Sequence, residues 1–100
     1  MLMTLAKFQA RPGAAPSLLA LAQTLVEASR AQDGCLEYGC YQDVADGDTL
    51  LLIGRWTGQE ALEKHYESAY FRDLVHRFGD WVVEAAPSVS LYDVIEMDHL

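Results

Sequence analysis

The chain has 100 residues, 51% apolar and 22% charged, with a formal net charge of -8. That length supports one hydrophobic core and one domain, and the apolar content excludes a disordered chain. An acidic balance without any basic run excludes recognition of nucleic acid or of an anionic membrane surface.

The apolar runs are too short to span a bilayer. The N-terminus carries Lys7 and Arg11 rather than a charged leader followed by an apolar stretch, so the cytoplasm is the expected location.

Residues 2–10 read as a first strand, with Leu2, Thr4, Ala6 and Phe8 on one face and Met3, Leu5, Lys7 and Gln9 on the other. Arg11-Pro12-Gly13 stops it, because proline cannot continue a ladder and glycine opens a turn. A helix follows from about Pro16, with Leu18, Leu21, Ala22, Leu25 and Ser29 on its buried stripe. Gly34 ends it.

Residues 35–44 form a second strand with Leu36, Tyr38 and Cys40 on one side. Cys35 and Cys40 would then lie roughly 16 Å apart on opposite faces, which forbids a bridge between them and predicts two reduced thiols. Asp46-Gly47 signals a hairpin into an apolar third strand, 48–56.

Thr57 and Glu60 have the spacing of a capping box, so a helix opens directly after Trp56. Leu62, His65, Tyr66 and Ala69 recur at helical spacing and put His65 on the apolar face. Ser68 reads as a fresh N-cap for a further helical run. In that run Phe71, Leu74, Val75, Phe78, Trp81, Val82 and Ala85 make a continuous stripe up to Pro87. Residues 88–96 alternate as a fourth strand, and Asp98-His99-Leu100 form a tail.

The predicted fold is therefore α+β, a ferredoxin-like split βαβ arrangement: a four-stranded antiparallel sheet with helices on one face, in a single domain over 1–100. Strands three and four are apolar on both faces. The uncovered face calls for a partner surface, and a homodimer packed sheet on sheet is the simplest answer. Arg55, on the opposite sheet face from Trp56, is a candidate for an ion pair at that interface.

The chemistry-bearing residues cluster around the start of the second helix. Trp56, His65, Tyr70 and Phe71 converge on one half-buried space, with Tyr66 beside His65. An imidazole there can remove a phenolic proton and leave an electron-rich anion able to reduce oxygen. The alternative is a core histidine satisfied by a backbone carbonyl, Tyr66 or Tyr38. Trp56, Tyr70 and Phe71 are candidate walls for a flat aromatic ligand. His65 and His76 are too far apart to share a metal ion, and no Cys-His cluster has ligand spacing. Neither a nucleophile elbow nor a phosphate-binding glycine loop is present.

Together, several stretches follow the pattern of one family: Arg11-Pro12-Gly13, Ser29-Arg30-Ala31 through Gly34-Cys35-Leu36-Glu37-Tyr38, and Trp56-Thr57 through Ala61-Leu62, His65, Ser68 and Phe71. From about Leu2 to Ile95 the chain resembles the antibiotic biosynthesis monooxygenases, small dimeric α+β barrel proteins. The resemblance implies a homodimer whose two sheets form a barrel, with a ligand cavity between the sheet and helices of each subunit. Characterised members include oxygenases of quinols and polyketide anthrones that use no metal, flavin or haem.

Two departures stand out. Gly54 occupies the place of a common glutamate, leaving space beside Trp56, and Tyr70 stands where many members have histidine. The haem-degrading branch is matched still less, at Ala6, His65 and Val75, so haem is not expected.

The expected function is cofactor-independent monooxygenation of an electron-rich aromatic. His65 is the expected catalytic residue, and Trp56, Tyr66, Tyr70 and Phe71 are the expected substrate-binding residues. A dimer that only binds a small metabolite, and an isomerase or lyase of a small oxidised metabolite, are the other readings.

Overall fold

The computed structural model describes residues 1–83, 88–95 and 97. Its elements are β1 (Leu2–Gln9), α1 (Ala15–Arg30), β2 (Cys35–Gln42), β3 (Thr49–Trp56), α2 (Gln59–Glu67), α3 (Ala69–Phe78) and β4 (Ser88–Asp93). The strands form one antiparallel sheet in the order β2-β3-β1-β4. With its three helices this is the ferredoxin-like α+β fold that the sequence predicts.

Strand alternation sorts the sheet into two faces. In β3, Leu50, Leu52, Gly54 and Trp56 are buried, while Leu51, Ile53 and Arg55 between them are only half-buried. Register carries the pattern across the sheet: Ala6 lies opposite Leu52 and Val89, and Leu5 opposite Ile53 and Ser90. Leu18, Ala22 and Leu25 of α1 close over the helix side, together with Leu62, Leu74 and Phe78. Each fully buried leucine in this core contributes about 1.5–3 kcal/mol by leaving water.

Four local expectations need correction. Thr57 and Glu60 do not form a capping box: α2 starts after Gly58, and no side chain caps it. The long third helix stops at Phe78 instead of running toward Pro87, with Gly79 as its C-cap. Val82 instead makes a bridge to Ala10, and Trp81 remains partly exposed. Ala85 and Pro87, like the proposed tail Asp98-His99-Leu100, lie outside the described residues.

In β2, a register shift between Cys35 and Glu37 makes Leu36 the extra residue, and Leu36 is exposed. The bulge reverses the alternation upstream, so both cysteines pack against the same core rather than on opposite faces. Both are free, and burial pushes both thiols up, away from reactivity. On the opposite sheet face from Trp56, Arg55 forms an ion pair within the chain, with Glu37 at 3.2 Å.

Candidate functional site

The site is assembled by the break between two helices. Ser68 is extended (φ -65°, ψ 147°) and ends α2 while it starts α3. Its hydroxyl donates to the His65 carbonyl at 2.6 Å and accepts from the Phe71 N–H at 3.3 Å. One side chain thereby adds a second bond to the His65 carbonyl, which also accepts from the Ser68 N–H, and caps the first turn of α3. The turn also folds the start of α3 back over His65, bringing the Phe71 ring to 4.7 Å and the Tyr70 ring to 5.8 Å from the imidazole.

His65 is 2% exposed and lies in an aromatic shell. Trp56 packs behind it at 4.5 Å between ring centroids, tilted by 40°, and Tyr38 and Tyr66 each approach to 5.4 Å. Burial lowers the pKa of the imidazole to about 4, so the ring is neutral at physiological pH.

Its tautomer follows from a hydrogen-bonded chain. Gln32 Nε2 donates to the Ala61 carbonyl at 2.8 Å, which leaves Gln32 Oε1 as an acceptor. The Tyr70 hydroxyl donates its single proton to that oxygen at 2.7 Å. Tyr70 Oη, 2.8 Å from His65 Nδ1, must therefore accept, and Nδ1 carries the hydrogen. In a neutral ring this leaves the lone pair on Nε2, to which no described residue donates.

Beside His65 lies a cavity of about 130 Å³ lined by Thr4, Ala6, Phe8, Tyr38, Leu52, His65, Tyr66, Phe71, Val75 and Val89. Three of the expected site residues, His65, Tyr66 and Phe71, line it. Trp56 and Tyr70 do not. They stand behind His65, with Trp56 fully buried and Tyr70 holding Nδ1.

The space expected at Gly54 is filled. A Cβ there would come within 2.8 Å of the Tyr38 ring, 2.9 Å of Trp56 Nε1 and 3.0 Å of Thr4 Oγ1. The buried indole N–H of Trp56 finds no acceptor among the described residues.

The sequence reading missed Gln32, which gives no sequence signal because it reaches Tyr70 across 38 residues. It also missed Thr4, Ala6 and Phe8 as lining residues, although their shared strand face was legible. Among the described residues, no group of three or more His, Cys, Asp or Glu side chains could hold a metal ion. No helix among them is long and apolar enough to cross a membrane.

Residues 1–77 match the family model described as antibiotic biosynthesis monooxygenase. Among named relatives, the uncharacterised protein sll1783 of Synechocystis is 29% identical over 90% of this chain, a match spanning only 60% of that protein. Rv0793 of Mycobacterium tuberculosis, which carries a provisional monooxygenase name, is 34% identical over 76% of this chain and 74% of its own length. The solved structure of Rv0793 superposes with a TM-score of 0.87 at 26% identity, covering 98% of both chains. A crystal structure titled antibiotic biosynthesis monooxygenase also scores 0.87, at 28% identity over 96% of this chain and all of the other.

Proposed function

Starting from the antibiotic biosynthesis monooxygenase family, to which this chain belongs, we propose that the protein is a cofactor-independent monooxygenase of an electron-rich aromatic. It would work as a homodimer in the cytoplasm. One observation carries the reading: a neutral imidazole with Nδ1 held by Tyr70, and hence its lone pair on Nε2, at the wall of a largely apolar cavity.

In this mechanism a quinol enters with one hydroxyl at Nε2, which takes its proton. The resulting anion is stripped of water by Phe71, Leu52 and Ala6 and transfers an electron to O2. The reduced oxygen then bonds to a ring carbon and takes the proton held by His65, giving a hydroperoxide. His65 next removes that carbon's hydrogen as a proton, the O–O bond breaks to leave a new carbonyl, and His65 passes this proton to the departing hydroxide. One oxygen atom enters the product and the other leaves as water. The substrate supplies all four electrons.

Tyr70 and Gln32 serve as positioning residues, because they fix which nitrogen is basic. Trp56 and Tyr38 pack around His65 and limit its tilt.

Oxygen uptake by metal-stripped protein against a panel of quinols and anthrones tests the proposal. Turnover should persist without metal and fall by 10²-fold or more in His65→Ala, the usual scale for removing a general base. Tyr70→Phe should retain a folded protein with intermediate activity. Equal turnover in wild type and His65→Ala would discard this assignment of the base.

A second reading, a dimer that binds its ligand without turnover, is favoured by the low pKa of His65. A conjugate acid near pH 4 makes a weak proton acceptor. Saturable binding with no oxygen uptake from any panel member would establish that reading instead.

A further inference from the structure

We propose that the cavity beside His65 selects a single uncharged hydroxylated ring, a monocyclic phenol or hydroquinone, over fused three-ring substrates and over rings that carry a carboxylate. The inference rests on the reading of this cavity as the substrate site, and it narrows the substrate class.

Size is the first argument. At about 130 Å³, the cavity is close to the roughly 150 Å³ at which an apolar protein cavity binds one benzene molecule. A fused three-ring skeleton overfills it, because the inner walls are fixed. Thr4, Ala6 and Phe8 belong to the sheet interior, held in register against β3 and β4. Leu52 and Tyr38 are 5% and 4% exposed and have no room to withdraw.

Charge is the second argument. None of the ten lining residues is Lys, Arg, Asp or Glu. Burial holds Tyr38 in its protonated form and keeps His65 neutral, so the wall carries no formal charge of either sign. A carboxylate on the ring would leave water without meeting a counter-charge, and that transfer is strongly unfavourable. For a neutral hydroxyl the lining residues offer the imidazole of His65 and the hydroxyls of Thr4, Tyr38 and Tyr66 as partners.

The mouth is the third argument. Tyr66, Val75 and Val89, which also line the cavity, are 39%, 41% and 58% exposed. Tyr66 also packs on His65 and Phe71, so Val75 and Val89 are the side chains to trim, and selectivity against bulk should relax on shortening there.

Anaerobic calorimetric titration separates binding from oxidation, with methylhydroquinone, 2,5-dihydroxybenzoate and anthrone as probes. Methylhydroquinone should bind at least tenfold more tightly than either of the others. Val75→Ala, which shortens a half-exposed side chain at the mouth, should narrow the gap for anthrone and leave the discrimination against the carboxylate intact.

Anthrone binding as tightly as methylhydroquinone in the wild type overturns the size argument. Equal binding of the carboxylate overturns the charge argument, and failure of all three to bind overturns the proposal outright. If methylhydroquinone binds selectively but admitting air produces no oxygen uptake, the ring selectivity stands and the oxygenase reading falls.

Discussion

His65 depends on two environments that act in opposite directions. The aromatic shell removes water and lowers its pKa to about 4, while Tyr70 and Gln32 hold its neutral form in one tautomer. The consequence for stability has a definite sign. The folded-state pKa lies below the unfolded value of 6.5, so between pH 6.5 and about 4 the unfolded chain binds the extra proton. The stabilisation from a neutral His65 is full above pH 6.5 and is lost as the pH falls toward 4.

A shift of this size corresponds to roughly 3 kcal/mol across that window. Urea denaturation at pH 7.0 and pH 4.5 should show wild type losing about that much more stability than His65→Gln, which has no imidazole to titrate. Parallel losses in the two proteins would mean that His65 already takes up its proton while folded. The sequence revealed that His65 faces the core, because helical spacing needs only neighbours on one face. It did not reveal the partner. Tyr70 is five residues away, off the i+3 and i+4 positions, and reaches Nδ1 only because the helix breaks at Ser68.

At the scale of elements, the strands were legible because alternation with a buried side is a strong local signal. The end of α3 was not, because its apolar spacing continues into Trp81 and Val82. Two things override that spacing. Gly79 is a poor helix former, and the end of β1 with the residues just after it offers competing partners: the Arg11 N–H donates to the Trp81 carbonyl, and the Val83 N–H to the Gln9 carbonyl.

The capping box at Thr57 fails for a related reason. The Thr57 N–H is already bonded to the Gly34 carbonyl at 2.9 Å, which ties the α1–β2 loop to the start of α2. That close approach makes Gly34 a sensitive position. Its φ is +86°, and a Cβ would come within 2.5 Å of the Ala61 Cβ. Ala61 carries the carbonyl that Gln32 binds, so any shift there passes along the chain to Tyr70 and His65. Gly34→Ala should cost about 2–4 kcal/mol from left-handed strain plus overpacking. Thermal denaturation checks the loss, and a melting point within a degree of wild type would show that the loop yields freely.

At the scale of the whole molecule, the helices cover one side of the sheet only. On the other side, register sets Leu5 opposite Ile53 and Lys7 opposite Leu51, with Gly39 and Tyr41 flanking them on β2. Leu5, Leu51 and Ile53 remain partly accessible in a single chain. The flanking ion pair, Arg55 with Glu37, sits at one end of this patch and leaves its centre apolar.

A second copy of the chain can cover such a surface with the same residues, and the sequence already suggested this by making β3 apolar on both faces. What the sequence does not supply is the geometry of that pairing, since flat apolar faces admit several rotations. Ile53→Asp puts a charge at the centre of the patch, where it stays solvated in a monomer and is desolvated without a partner in a sheet-on-sheet dimer. Light scattering should show wild type at twice the chain mass and Ile53→Asp at the mass of one chain, with circular dichroism unchanged. Ala6 and Leu52, on the helix side of the same sheet, line the cavity, so the folded monomer should still bind a ring ligand, though less tightly. A variant that remains dimeric would move the interface away from this face, and the exposed Val89 and Leu91 on β4 would be the next positions to charge.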